Sequence, residues 1–344
     1  MESSRNAKKR STLGQTDQAN SRRENGASAV DTDSRRTLCG MLRSTMVPAQ
    51  QYNVSEIEFS KHFHSWRCGT LNIRSGKEKQ EGAKMYSVTK EISKARLSFC
   101  CLQEVRYRGS GEALIKLNTG EKYKFLWCGQ KKRREYGVGM LIKLDDKISF
   151  SNPDFQNHRI MGMDIDIKGF KLRVVCVYSP TNCDGSQTMK DNFYRDISKA
   201  CKSQDKNRKL LILGDFNAET NIVYRKTCFN NSSIIEDKIC NDNGQRLKTL
   251  CRASSLFIPQ SFFEAPLETR FTWYSSDGKT KKILDYILVE KIILQYIHNC
   301  YVIEDADIDT DHRLLICDIK TPTTKRARWR PKIKAKSAPY PKIS

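Results

Sequence analysis

The sequence predicts a mixed α/β layered domain, two stacked sheets with helices outside, and three observations predict it. About ten short β-rich runs lie between residues 65 and 320. Some are continuous apolar runs, as in Val174-Val175-Cys176-Val177 and Leu210-Leu211-Ile212-Leu213, which marks strands buried on both faces. Stretches with helical apolar spacing separate them.

Taken in order, strands are expected at Trp66–Asn72, Leu97–Gln103, Tyr123–Cys128, Val138–Leu144, Ile160–Ile167, Leu172–Tyr178, Leu210–Leu213, Phe271–Tyr274, Ile283–Val289 and Leu314–Ile319. Between Met161 and Ile167 the apolar residues fall on every second position, the pattern of a half-buried strand. The first helix rests on Met85, Val88, Ile92 and Ala95, which share one helical face. Met189–Ala200 and Gly244–Ala253 carry similar stripes, the latter with Leu247, Leu250 and Cys251 on one side and Asn243-Gly244 as its entry turn. No repeat of the solenoid kind is present.

The ends differ from this middle. Of the 344 residues, 29% are charged, and 61 Lys+Arg against 39 Asp+Glu give a net charge of +22. Residues 1–60 are polar and poor in large apolar side chains, which predicts a disordered segment. Its Lys8-Lys9-Arg10 is a weak nuclear-import or nucleic-acid signal. Residues 321–344 form a basic, proline-containing tail, expected to add phosphate contacts or to act as a linker. The domain is therefore expected at 61–320, and about half of the positive excess remains within it. Such a balance favours an anionic partner, nucleic acid first. No stretch approaches the roughly 20 apolar residues of a membrane span, and no apolar run follows Met1, so a nuclear or cytoplasmic protein is expected, with no membrane partner. The 13 cysteines form no CxxC pair, which disfavours a disulfide scaffold and predicts buried thiols. His62-x-His64 lacks the cysteines of a zinc site and reads as a polar lead into the first strand.

In so basic a chain, acidic and amide residues placed at the ends of apolar runs stand out. Asn72 ends the first run and Glu104 follows Phe99-Cys100-Cys101-Leu102-Gln103. Asp215 and Asn217 follow Leu210–Gly214, and Asp311-His312 precedes Leu314-Leu315-Ile316. Singly, each is an ordinary turn residue. Asp285 is different, because an acid inside Ile283-Leu284-Asp285-Tyr286-Ile287-Leu288 needs a partner. Several strands of one sheet can aim such ends at one spot, a common way to build a catalytic site.

This order resembles the endonuclease/exonuclease/phosphatase superfamily, which includes DNase I, abasic-site repair nucleases and retrotransposon endonucleases. The resemblance runs from about residue 65 to 320 through Gly69-Thr70-Leu71-Asn72-Ile73-Arg74-Ser75, Leu102-Gln103-Glu104-Val105-Arg106, Val177-Tyr178-Ser179-Pro180-Thr181, Gly214-Asp215-Phe216-Asn217-Ala218, Leu284-Asp285-Tyr286-Ile287-Leu288 and Thr310-Asp311-His312-Arg313-Leu314. It implies a DNase I-like four-layer α/β sandwich: two stacked mixed β-sheets flanked by helices. Arg74, the run Glu104–Gly111, and Asn243–Leu247 with Thr272-Trp273 look most like endonucleases of RTE-type non-LTR retrotransposons, the group that also holds craniofacial development protein 2-like sequences.

The resemblance implies a Mg²⁺-dependent endonuclease that nicks DNA, with Mn²⁺ as the alternative ion. Glu104 would be the principal metal ligand, with Asn72 nearby and Asp311 as a second metal-side carboxylate. Asp215 would orient or deprotonate the attacking water, and Asn217 would hold water or phosphate. His312, hydrogen-bonded by Asp285, would bind a phosphoryl oxygen, and Tyr178 would contact the scissile phosphate or leaving group. Arg74 stands where repair nucleases commonly have Asp, which counts against abasic-site repair and suggests a backbone-phosphate contact. His158-Arg159, Lys131–Arg134 and the loop-like cluster Lys279, Lys281 and Lys282 are further candidates for DNA contacts, whereas Trp273 is expected in the core. A monomer is expected, and a reverse transcriptase domain, absent from this chain, is a candidate partner. The competing readings are another phosphodiesterase of the same fold, such as a repair nuclease, an RNA deadenylase or a phosphoinositide phosphatase, and an inactive DNA-binding remnant.

Overall fold

Two helices each carry the chain between a pair of parallel strands, and these two crossovers organise the fold. The computed structural model describes residues 63–74, 82–181, 183, 186–202, 205–220 and 240–322. Strand β1 (Phe63–Asn72) leads through α1 (Ala83–Lys94) to β2 (Phe99–Gln103), parallel to β1, with Asn72 opposite Gln103. Strands β3 (Ser110–Lys116), β4 (Lys122–Cys128) and β5 (Val138–Lys143) follow as an antiparallel ribbon that joins β2 through β5. Strands β6 (Ile148–Phe150), β7 (Asp154–Asn157), β8 (Ile160–Ile167) and β9 (Phe170–Tyr178) begin a second sheet, and α2 (Gln187–Ala200) leads to β10 (Lys209–Asp215). Strand β10 is parallel to β9, with Asp215 opposite Tyr178.

The remainder adds α3 (Asp242–Ala253), β11 (Leu256–Phe257), 3-10 turns at Pro259–Ser261 and Leu267–Arg270, and a small hairpin of β12 (Trp273–Tyr274) and β13 (Lys281–Lys282). Strand β14 (Asp285–Glu290), the single turn α4 (Lys291–Leu294), β15 (Ile297–Ile303) and β16 (Leu314–Pro322) complete it. The first sheet has the order β15-β16-β1-β2-β5-β4-β3 and the second β11-β14-β10-β9-β8-β6, with β7 also on β8. Parallel neighbours require a crossover connection, and α1 and α2 supply it.

Side-chain alternation explains the layers. In β9, Val174 and Cys176 enter the core between the sheets, while Val175 and Val177 face α2 and α3. Leu211 and Leu213 of β10 point inward and Ile212 outward; in β2, Cys101 points inward and Cys100 toward α1. Continuous apolar runs are therefore strands covered on both faces. Met85, Val88 and Ile92 of α1 pack on Leu71, Leu102 and Ile316, whereas Phe193 and Ile197 of α2 and Leu247 of α3 cover the second sheet. The result is four layers. Replacing fully buried Ile92 by Ala would cost about 2–5 kcal/mol. Ser186 caps α2 by accepting from Met189 N (3.2 Å), and Asn241 caps α3 by accepting from Gly244 N (2.7 Å).

Several elements differ from the sequence expectation. Strand β3 is exposed at five of its seven residues and shows no apolar face; its pairing with β4 makes it a strand. Strand β15 arises where no strand is expected. Phe271 follows a 3-10 turn instead of starting a strand, and Lys281 and Lys282 form β13 instead of a loop. His64 lies within β1, not ahead of it. Strand β16 continues to Pro322, and the expected polar segment 1–60 and most of the basic tail lie outside the described residues.

Among the described residues no helix is long and apolar enough to cross a membrane. Eleven described cysteines are free thiols, seven of them buried, and burial pushes Cys100, Cys101 and Cys317 well above the usual thiol range.

Candidate active site

All four parallel strands end at the same place. Asn72 is the last residue of β1, Glu104 follows β2, Tyr178 ends β9 and Asp215 ends β10. Asp285 opens β14 directly opposite Asp215, and His312, bridged to Trp273, stands just before β16. The backbone here is unusual. Arg74, Glu104, Arg106, Tyr136 and Asn217 all have left-handed φ, between 39° and 58°. Each such residue costs about 1–3 kcal/mol, so a concentration of them indicates a functional site. The turn after β2 is held by Val105 N donating to Gly137 O (3.2 Å) and Arg106 N donating to Tyr136 O (2.8 Å).

Asn72 joins the two sheets. Its Nδ2 donates to Glu104 Oε1 (3.1 Å) and to Asp215 Oδ2 (3.0 Å), and its Oδ1 accepts from Arg74 N (3.0 Å). The Tyr178 hydroxyl donates to Glu104 Oε1 (2.9 Å), and the Arg106 guanidinium donates to Oε2. Burial pushes the Glu104 carboxyl up, but hydrogen bonds from Arg106, Asn72 and Tyr178 outweigh it and hold the group below the usual range. Burial, reinforced by Glu104 and Asp215, raises the Tyr178 hydroxyl far above its ordinary value, so it stays a proton donor.

Behind this lies a buried triangle. His312 Nδ1 is 2.9 Å from Asp285 Oδ2, and Nε2 is 3.8 Å from Asp215 Oδ2. Burial alone would lower His312, but Asp285 above all, then Asp215 and Asp311, raise it to about 9. Burial and the neighbouring Asp285 push Asp215 up to about 7, against the pull of His312. At neutral pH the ring is an imidazolium held between acids. Thr272 Oγ1 fixes the start of β14 by accepting from Leu284 N (3.0 Å) and Asp285 N (3.1 Å), and Gln260 Nε2 donates to Asp285 O (3.0 Å). Thr310 Oγ1 donates to Asn72 O (2.7 Å) and accepts from His312 N (3.2 Å), tying the histidine loop to β1.

Of the residues expected from the sequence, Asn72, Glu104, Tyr178, Asp215, Asp285 and His312 form one connected network. Asn217 joins it as its N donates to Asp215 Oδ1 (2.8 Å), and its Nδ2 donates to Ser179 O (3.0 Å). Asp311 faces Arg74 Nη1 (3.3 Å) and accepts from Trp273 Nε1 (3.1 Å). Trp273 is thus half-buried at the site and not a core residue. Arg159 is not a surface contact for DNA either. Only 7% exposed, its guanidinium lies 4.1 Å from the Tyr136 ring centroid and 5.0 Å from that of Tyr178. Sequence reasoning gives no role to Arg106, Thr272 and Thr310, although each lies within or beside one of the motifs; only Arg106, following Glu104 in a chain rich in basic residues, carries a charge signal.

Among the described residues, two places at this site offer metal donors. Asp215, Asp285 and His312 present atoms within 4.8 Å of one another. The ring already fills the space between these acids, with Nδ1 2.9 Å from Asp285 Oδ2 and Nε2 3.8 Å from Asp215 Oδ2. Glu104, held below the usual carboxylate range and 17% exposed, offers carboxylate oxygen to a hard divalent cation that keeps several waters, with Asn72 and Tyr178 on its Oε1 and the Arg106 guanidinium on its Oε2.

Residues 69–295 match the family described as Endonuclease/Exonuclease/phosphatase. This chain belongs to that family. Craniofacial development protein 2 of Bos taurus is 24% identical over 315 residues, covering 89% of this chain and 51% of that protein. Its counterpart in Tragulus javanicus is 25% identical over 252 residues, covering 73% and 42%. The chain spans about half the length of the curated relatives it matches. Among solved structures, the catalytic domain of Xenopus laevis APE2 has a TM-score of 0.55 at 14% identity, covering 76% of this chain and 94% of that one. An AP endonuclease from Archaeoglobus fulgidus has 0.53 at 16%, covering 73% and 98%. The endonuclease domain of TRAS1, a telomere-specific non-LTR retrotransposon, has 0.50 at 15%, covering 76% and 100%. At these identities the likeness establishes the fold, a DNase I-like α/β sandwich.

Proposed function

We propose that this family member is a metal-dependent endonuclease that hydrolyses DNA phosphodiester bonds by nicking one strand, and that it derives from a retrotransposon. The observation that carries the reading is the hydrogen-bonded path from Tyr178 through Glu104 and Asn72 to Asp215, which ends beside the His312–Asp285 pair. It joins a solvent-reachable carboxylate to a buried imidazolium across both sheets.

Mg²⁺, or Mn²⁺ in its place, held by Glu104 with Asn72 and Asp311 as its neighbours, would polarise the phosphoryl group and steady the leaving oxygen when bound. The chain's own residues supply the rest. Asp215, raised to about 7, is poised to take a proton from an attacking water at neutral pH. His312 offers its Nε2 proton and its charge to a phosphoryl oxygen, and Asp285 fixes the ring. Asn217 orients Asp215 through its backbone N–H. Tyr178 holds Glu104 in place and keeps its proton.

DNA as substrate is supported by the excess of Lys and Arg and by the exposed loop Lys131–Arg134. Abasic-site cleavage is the second reading, favoured by the likeness to APE2 and an AP endonuclease. Strand-specific cleavage of labelled duplexes with and without one abasic nucleotide separates the two. Equal nicking of both supports the endonuclease reading, and cleavage confined to the abasic duplex supports repair. Asp215→Ala and His312→Ala should each abolish nicking in a folded protein; wild-type cleavage by either would refute the assignment.

A further inference from the structure

The two oxygens of Glu104 have different kinds of partner. Oε1 accepts from Asn72 and Tyr178, both buried and uncharged. Oε2 accepts from Arg106, whose side chain is 36% exposed. Arg106 sits two residues after Glu104 in the same tight turn, with φ of 55° and its N–H fixed to Tyr136 O, so its guanidinium is returned over the carboxylate. The inner side of Glu104 is held by two buried neutral donors, and the outer side is closed by one partly exposed cation. Asp311, a carboxylate of the site that is 22% exposed, repeats the arrangement with Arg74, which is 56% exposed and also has left-handed φ.

We propose that Arg106 is a built-in competitor for the divalent cation: it covers the outer oxygen of Glu104, leaves when the metal binds there, and then takes a substrate phosphate. This rests on Glu104 being the metal ligand. A guanidinium and a divalent ion cannot share one carboxylate oxygen without strong repulsion. The displaced guanidinium has a planar fork that matches a phosphodiester. Metal and polyanion binding then assist one another, because each draws on the same displaced side chain, and the assistance is reciprocal. The metal site is therefore weak in the free protein and strengthens when nucleic acid arrives.

The test is Mn²⁺ binding to the full chain, followed by the decline of the free-ion electron paramagnetic resonance signal, with circular dichroism as the check on folding. Arg106→Gln should bind roughly ten-fold more tightly than wild type, the weight of one charge-assisted hydrogen bond. Arg106→Lys should stay near wild type. Arg108→Gln removes the same charge from an exposed neighbour and should change affinity less than two-fold. Unchanged or weaker binding by folded Arg106→Gln, while Glu104→Gln abolishes binding, would overturn the role of Arg106 and leave the metal reading intact. Binding by Glu104→Gln equal to wild type would instead remove the metal reading, and this inference with it. In a second assay, fluorescence anisotropy of a labelled duplex should show that Mn²⁺ tightens DNA binding by wild type more than that by Arg106→Gln, in which only the cation's own contact with the phosphate remains; equal tightening in the variant overturns the phosphate-binding half.

Discussion

His312 Nδ1 and Asp285 Oδ2 lie 2.9 Å apart in a site where neither side chain is more than 6% exposed. Burial disfavours the charged ring, yet Asp285 and Asp215 raise it to about 9, while burial and Asp285 lift Asp215 to about 7. Activity should therefore rise with pH as Asp215 loses its proton near 7 and fall as His312 loses its own near 9. The pair's contribution to stability has the sign of a raised histidine: fully present below the ordinary value of 6.5 and lost as pH rises through about 9. Asp285→Asn removes the strongest source of the upward shift, so the alkaline limb of a kcat/KM profile should move to lower pH. An unmoved limb would mean that it does not report His312.

Asn72 is the only side chain whose amide touches a carboxylate from each sheet, Glu104 at 3.1 Å and Asp215 at 3.0 Å, among the described residues. Asn72→Ala leaves both without that donor and should lower nicking by about a hundred-fold, the usual weight of a placed donor at a reacting centre. The loss of stability should be modest, about 1–3 kcal/mol for the unpaired buried groups. Activity within three-fold of wild type in an assay of initial nicking rate would contradict this role.

Much of this arrangement is legible in the sequence, for a physical reason. Strands buried on both faces must be written as continuous apolar runs, so the placement of Asn72, Glu104 and Asp215 at their ends is visible without coordinates, whereas Asp285 reads as lying inside its run and only the structure shows it opening β14. The helices are equally plain, because Met85, Val88 and Ile92 share one face. Strand β3 is hidden because its seven residues contribute little to the core, and its identity comes from hydrogen bonds to β4. Trp273 and Arg159 depart from expectation because composition cannot tell an aromatic side chain that packs inward from one that donates to Asp311, or an exposed guanidinium from one held between two tyrosine rings. The pairing of Arg106 with Glu104 depends on a left-handed turn that no residue pattern announces.

Gly214 should tolerate no side chain. A Cβ there would meet Val177 O at 1.9 Å, because β9 and β10 approach closely just before Asp215. Gly214→Ala should destabilise the fold by about 1–3 kcal/mol or more, read as a lower urea midpoint. It should also reduce nicking by shifting Asp215. A variant with native stability and activity would show that the strand ends adjust freely.

Removing residues 325–344 deletes eight Lys or Arg that follow the end of β16. DNA affinity should fall, and its dependence on salt should flatten by about 0.9 in slope for each phosphate the tail neutralises. An unchanged slope in titrations across a salt series would assign the tail a linker role.

In the proposed function, Glu104 and a divalent cation together cut DNA at the joined ends of the two sheets. The most direct measurement is conversion of supercoiled plasmid to relaxed circles by the purified chain with Mg²⁺, with EDTA, and by Glu104→Ala with Mg²⁺. Relaxed circles only for wild type with Mg²⁺ are the predicted result, and nicking that persists in EDTA or in Glu104→Ala would contradict the account.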